Sequence, residues 1–465
     1  MIRRYLSPVR YLPRNARLYL VAEAFAAFAT GGFGAVYNLY ILALGHDTRF
    51  LGTLLVAGMA GAGAGVLPAG ALVDRLGPRT MLLAGSLVAA AGIGTQLVTS
   101  VAGLLLAGGV VAGIGAAAFY VAAAPFLAGN APAGRQTDLF SLDTAVALAA
   151  TAAGSATAGQ LAVALGASGA ALGTPDATRA YWITLLVASA VGACSFGALL
   201  LTRERPRDFT PDPSPLTEGE RQSESALVGG SPREAVPQGY HLDGRRSPFP
   251  AREGGQGVRS SWRAAVADPV AVRLAVTAAL IGLGVGFFLP YLNVFFVDVL
   301  GANPAVYGWV SAAGTLSRLG ATLLAPRLAG RVGTTRAIGW SQLASVPLLL
   351  VLGFAPHVAI ASVALLLRGA LMNMAAPIQT SFTMAVLPLP IRGAGNSIVL
   401  LASNATRAAS TLAGGALIAT TGYRLPYLLT ALAYVVSAAL FLYWFARWPE
   451  GKEKPPSHVG KGVGG

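Results

Sequence analysis

The two halves of this 465-residue chain carry the same marks in the same order. Gly31, Phe33 and Asn38 return as Gly286, Phe288 and Asn293. After a slip of one residue, Gly45, Gly52 and Gly58 return as Gly301, Gly308 and Gly314, and Leu72, Arg75 and Gly77 fall opposite Leu328, Arg331 and Gly333. Small residues and a single amide recurring in register inside apolar sequence restrict the fold to two copies of one helical unit.

The solvent of that unit follows from composition. Hydrophobic residues make up 54% of the chain and charged residues 11%, whereas a soluble domain is about a quarter charged. Apolar runs of about 20 residues, long enough to cross a hydrocarbon core of roughly 30 Å, recur along the sequence. They fall at 16–44, 51–72, 80–99, 102–126, 138–166 and 180–201, then at 270–299, 306–326, 337–356, 358–384, 393–418 and 425–446. The expected fold is therefore an all-α integral membrane protein, with twelve transmembrane helices in two pseudo-symmetric six-helix bundles, 1–201 and 263–448. The abundant glycine, 58 residues, suits helix backbones that approach closely in lipid. Residues 202–262, with Pro211-Asp212-Pro213-Ser214-Pro215, lack apolar periodicity and read as a disordered or loosely helical cytoplasmic linker; the tail 449–465 reads the same way.

A net charge of +14 raises the question of nucleic acid, and the placement of the charges answers it. Arg3, Arg4, Arg10, Arg14 and Arg17, then Arg75, Arg79, Arg135, Arg203, Arg205, Arg207, Arg327, Arg331, Arg336, Arg392, Lys452 and Lys454 all fall on one side if the twelve spans alternate. Only Arg49, Arg179 and Arg424 fall on the other. This is the positive-inside asymmetry, so both termini and the linker are expected in the cytoplasm, the protein in the cell membrane, and no nucleic acid as partner. Trp182, Trp309, Trp340 and Trp444 sit at span ends, where the indole ring prefers the headgroup layer. The basic N-terminus before an apolar run also fits a cleaved signal, but the run is too long for one and matches the seventh span in the repeat.

Sites of soluble chemistry are not found. Cys194 is the single cysteine, and His46, His241, His357 and His458 lack ligand spacing, so neither a metal nor a cofactor is expected. Gly61, Gly63 and Gly65 lack the Lys-Ser/Thr ending of a phosphate loop, and no nucleophile elbow appears.

The sharpest motif is Gly70-Ala-Leu72-Val-Asp74-Arg75-Leu-Gly77-Pro-Arg79, between the second and third spans. It resembles the signature of the major facilitator superfamily, usually written Gly-x-Leu-Ala-Asp-Arg-x-Gly-Arg-Lys. Gly70, Leu72, Asp74, Arg75 and Gly77 match in place, Arg79 keeps the last charge, and Pro78 departs from it. With the repeat and twelve spans, the resemblance covers the whole chain. It implies secondary transport of a small-molecule solute by a monomer in the lipid bilayer. It also implies that Asp74 rests on the positive N-terminus of the eleventh helix, near Gly393, when the cytoplasmic side is shut. Topology alone is the other reading of Arg75 and Arg79. In the second copy Gly330 stands at the Asp74 position while Arg331 and Gly333 remain, so a weaker latch is expected there.

Ionisable residues deep in the spans narrow the site, because each is costly unless it faces protein or a wet cavity. They are Glu23, Asp143, Arg318, Arg368 and Arg407; spans three, six, nine and twelve have none, and in the superfamily these are the lipid-facing helices. The three arginines lie about 12–17 Å from the nearer span end. Polar residues share their helices: Ser311, Thr315 and Thr322 with Arg318, Gln379 with Arg368, Asn404 and Thr411 with Arg407. Contact with substrate and hydrogen bonding between helices both remain open for the arginines. The same two readings stand for Tyr37 and Asn38 on the first span and Asn293 on the seventh. Glu23, with Asp143 second, is the candidate for carrying protons. The drug-antiporter Gly-Pro pair and the sugar-porter loop are both absent, so no subfamily is assigned. Three deep cations favour an anion; efflux of small organic compounds with an anionic group is the expected function, with uptake of a sugar or other metabolite as the alternative. A channel or a membrane enzyme finds no support in a ring of charges or a catalytic cluster.

Overall fold

In the computed structural model, residues 12–132, 135–167, 173–203 and 256–446 are described; most of 202–262 and all of 449–465 lie outside them. The chain divides into a helical body, Met1–Thr202 with Ser261–Gly465, and a second unit, Arg203–Ser260.

The first half of the body holds α1 (Arg14–Ala43), α2 (Thr48–Leu76), α3 (Pro78–Val98), α4 (Ala102–Gly129), α5 (Gln136–Ala162, continued by a π turn, Val163–Ala167) and α6 (Pro175–Leu200). A short α7 (Gln256–Ala267), amphipathic in sequence, falls partly where disorder is expected. The second half follows with α8 (Pro269–Phe288), α9 (Pro304–Val332), α10 (Thr334–Gly353), α11 (Val358–Val386), α12 (Arg392–Thr421) and α13 (Arg424–Phe445). No strand occurs among the described residues.

Local chemistry sets the boundaries. The Asp47 carboxylate accepts from Phe50 N at 2.8 Å and opens α2 three residues before the hydropathy does. Thr174 Oγ1 caps α6, with Pro175 as its first residue, so this helix starts five residues before the expected 180. Gly77 ends α2 at φ 86°, and Gly333, its repeat mate, ends α9 at φ 84°. Both conformations are left-handed and suit glycine, so the motif glycine turns the chain identically in both copies.

Ten of the twelve long helices are long and apolar enough to cross a membrane on those criteria alone. The two that fall short are α9 and α12, which carry Arg318 and Arg407. Packing obeys the repeat: α1 lies against α5 and α6 as α8 lies against α12 and α13, and α4 lies against α2 and α3 as α11 lies against α9 and α10. Between the bundles α5 meets α9 and α2 meets α12, so the two less apolar helices are the ones facing the other bundle.

The cores show where the bundles touch. Two clusters join them, a large one with Val36, Leu39 and Leu51 from the first half and Phe288, Phe295 and Tyr427 from the second, and a small one of Ala152 and Ala156 with Ala312. Two others stay separate, Leu82, Phe126 and Leu199 in the first bundle and Ile338, Phe382 and Phe441 in the second. Among the described residues the bundles thus share buried clusters at one end and keep separate ones at the other.

Candidate functional site

Proline governs the closed end. At Pro290 the seventh span breaks: after α8 the chain makes a 3-10 turn, Leu289–Tyr291, one α turn, Leu292–Val294, and a π turn, Phe295–Val299. The break frees backbone carbonyls, and one of them is taken up across the bundle boundary. Asn38 Nδ2 donates to Pro290 O at 2.6 Å and to Asn293 Oδ1 at 2.9 Å, while Asn293 Nδ2 donates to Ala35 O at 3.3 Å. Both amides are buried, 8% and 2% exposed. Of the two readings open to this pair, the structure in this conformation presents the interhelical hydrogen bond. Tyr37 is half-buried, tilted on Phe33 and packed against the shared core.

Two further seams flank this pair. In one, Thr48 Oγ1 donates to Gly415 O at 3.1 Å, and a Cβ on Gly52 would stand 2.6 Å from the Tyr291 hydroxyl and 3.1 Å from Thr411 O. The Tyr291 hydroxyl itself donates to Thr411 O at 2.6 Å. In the other, Ser155 Oγ donates to Gly31 O at 3.0 Å and lies 3.4 Å from Ser311 Oγ, and a Cβ on Gly308 would meet Ser155 O at 2.5 Å. Gly52 and Gly308 are repeat mates, and each lies in an α2–α12 or α5–α9 seam. The recurring glycines thus marked the interface, although no pattern named Thr48, Ser155 or Gly415 as its members.

At the opposite end the buried clusters of the two bundles stay separate among the described residues. The hydrogen bonds that join the bundles through Asn38, Thr48, Asn293 and Ser311 all fall at the other end. Asp74 and Arg75, in the last turn of α2, are exposed, as is Arg331 of α9. No hydrogen bond joins Asp74 to α12 among the described residues, and a Cβ on Gly70 or Gly393 would meet nothing within 4 Å. The expected latch is unmade in this conformation. Arg79 works within its own bundle: its Nε donates to Thr202 Oγ1 at 3.0 Å and its Nη2 to Leu200 O at 3.2 Å, which closes the C-terminus of α6.

The charged residues lie between these ends. On α9, Gly308, Ser311, Thr315 and Arg318 follow helical spacing along one face, and the first two touch α5. Arg318, exposed, stands about 10 Å beyond Ser311 toward the opposite end. On α12, Gly415 and Thr411 belong to the seam, Arg407 lies one turn further and Asn404 is exposed beyond it. Arg407 is half-buried, and its Nε is buried without a hydrogen bond. Gln379, on α11, is half-buried.

Arg368 is enclosed within the second bundle, 4% exposed. Its Nη2 donates to the Tyr434 hydroxyl at 2.8 Å, and its guanidinium carbon lies 4.8 Å from the Phe288 ring centre and 5.4 Å from that of Tyr434. Depth along a helix, legible in sequence, carried no information on that direction.

In the first bundle Glu23 is 8% exposed and hydrogen-bonded to Tyr19, with Asp143 near enough to interact electrostatically. Asp143 is half-buried, its Oδ1 is buried without a hydrogen bond, and no ion pair joins it to exposed Arg135 among the described residues. Also among the described residues, no group of three His, Cys, Asp or Glu side chains is placed to hold a metal ion.

Known proteins share this architecture. The nucleoside transporter NupG superposes with a TM-score of 0.69 at 12% identity, over 93% of this chain and 99% of that one. A bacterial homologue of the human lysosomal transporter Spinster, inward-facing and unoccupied, gives 0.67 at 14% identity, over 93% and 97%. A D-xylose–proton symporter gives 0.63 at 15% identity, over 92% and 96%. No curated protein matches in sequence. The model of the Major Facilitator Superfamily matches twice, over residues 19–303 and 274–463, which together span nearly the whole chain. With helices that suit a bilayer and a repeat closed at one end, the chain is a membrane transporter rather than an enzyme, and it belongs to the Major Facilitator Superfamily.

Proposed function

We propose that this transporter moves a small organic solute by alternating access, with the two bundles rocking about a site near mid-depth, and that the solute carries an anionic group. The observation that carries this reading is the placement of Arg407. Its Nε is buried without a partner one turn beyond the last seam contact, with Arg318 exposed on the facing-bundle side of α9. A buried guanidinium nitrogen lacking an acceptor is costly, and an arriving carboxylate, sulfonate or phosphate relieves that cost. The charge asymmetry supports a cytoplasmic placement of the arginine-rich side in the plasma membrane, and efflux is the proposed direction. Glu23, with Asp143 beside it, is the proposed carrier of protons, and the monomer is the proposed unit.

Purified protein in sealed vesicles tests the reading. Influx of labelled organic anions should saturate and be accelerated by unlabelled anion on the opposite side. Flux that never saturates indicates a channel, and stimulation by a neutral nucleoside or pentose but by no anion favours the metabolite reading.

A further inference from the structure

We infer that Arg368 is a positioning residue for the gate: its cation grips Phe288, the residue at which the seventh span breaks, and thereby holds Asn293 and Pro290 in place to be bonded by Asn38. Phe288, the last residue of α8, has already left helical geometry at φ −132° and ψ −34°, so its ring stands where the helix direction changes. That ring lies under the Arg368 guanidinium at 4.8 Å and against Tyr427 at 5.1 Å. Tyr434 holds the guanidinium as well, its hydroxyl accepting from Nη2 at 2.8 Å. Within the next five residues the broken segment makes its gate contacts: Pro290 O and Asn293 with Asn38, and the Tyr291 hydroxyl with Thr411 O beside Gly52.

A buried arginine with no carboxylate partner among the described residues is an expensive way to pack a bundle, since an apolar residue of the same volume fills the space at no charge cost. What a cation adds here is a directed attraction to two aromatic faces, and that attraction weakens as the ring moves away. The contact therefore favours one orientation of the break over others. The inference rests on the alternating-access reading only in requiring that the Asn38 end can open; it is independent of the substrate's charge.

The test uses the full-length protein with Cys194→Ala and spin labels at Arg49→Cys and Thr420→Cys, exposed positions at the outer ends of α2 and α12. Double electron–electron resonance distances without substrate report the closed end. Arg368→Gln should raise the ratio of long to short distances by about threefold or more, the scale of one lost cation–ring contact. Phe288→Leu, which keeps an apolar side chain in the core, should do the same, and the double variant should add little to either. Arg368→Lys, retaining the cation, should restore most of the short population, which a purely packing role does not predict. If Arg368→Gln fails to fold, Phe288→Leu decides. A wild-type distance distribution in Phe288→Leu, or no rescue by lysine in a folded protein, overturns the inference. A second distance population absent from every variant, even at varied pH, instead defeats alternating access itself.

Discussion

Asn38 and Asn293 stand 255 residues apart at the same place in the two halves of the repeat, and they are each other's hydrogen-bond partners at 2.9 Å. The pairing follows from symmetry: the element nearest the axis in one half meets its own copy in the other, and an amide offers both donor and acceptor. Because Asn38 also takes Pro290 O, the junction ties an intact helix to a broken one.

If this junction is a gate, fixing it stops transport. Asn38→Cys with Asn293→Cys, in a Cys194→Ala background, should form a disulfide under mild oxidation and abolish flux, with recovery on reduction. Vesicle uptake before and after reductant is the measurement, and full activity of a quantitatively cross-linked protein counts against the gate.

Glycines at the seam and inside a bundle should differ in kind. Gly52→Val puts two methyls where the Tyr291 hydroxyl and Thr411 O lie, so it should leave the melting temperature near wild type and bias the protein toward opening at the Asn38 end. Gly154→Val drives side chain into Phe28 O within the first bundle and should lower stability by about 1–3 kcal/mol. Thermal unfolding with thiol labelling at Thr48→Cys, in a Cys194→Ala background, separates the two outcomes.

Asp74 is exposed in the present conformation, so Asp74→Asn should not alter thermal stability here. The latch that the motif implies, onto the N-terminus of α12, is expected to form when the cytoplasmic end shuts. Loss of that charge–dipole attraction, about 0.3–2 kcal/mol, should slow transport roughly 2- to 30-fold at unchanged substrate affinity. Unchanged rates leave Asp74 a purely topological role.

Arg407→Gln should raise the half-saturation concentration for an anionic substrate about 10- to 100-fold, the scale of a charged hydrogen bond lost in a dry site, while the protein stays monodisperse. Arg318→Gln is the companion variant. Equal affinity in both, or a cation as the strongest stabiliser in a thermal-shift screen, removes the anion proposal.

Glu23→Gln keeps size and removes the proton. Flux driven by a pH gradient should vanish while substrate exchange continues, since exchange requires no proton release. Gradient-driven uptake that survives assigns the proton to Asp143 or to no side chain.

Much of the fold was written in the repeat. Gly77 and Gly333 end their helices at matching backbone angles, and Gly52 and Gly308 mark corresponding seams, because backbone geometry depends on local sequence that the two copies share. Side-chain direction does not. Arg318, Arg368 and Arg407 look alike by depth and polar company, yet Arg318 is exposed, Arg407 half-buried and Arg368 sealed between Phe288 and Tyr434. A turn of about 100° per residue separates cavity from bundle interior, and span boundaries read from hydropathy are too coarse to resolve it. The Asp74 latch that the motif implies is unmade in this conformation.

The break at Pro290 has a consequence for solvent. If the Asn38 end parts, as alternating access requires, the carbonyls of Pro290, Ala35 and Gly415 lose their donors and two amide side chains lose their partners. Hydrocarbon offers nothing to replace them, so water must enter to satisfy the exposed groups. Opening is thus also a hydration step: each cycle takes up a small set of waters and returns them. Osmolality belongs beside the solute and proton gradients among the forces on the cycle, with excluded osmolytes favouring the dry, closed junction.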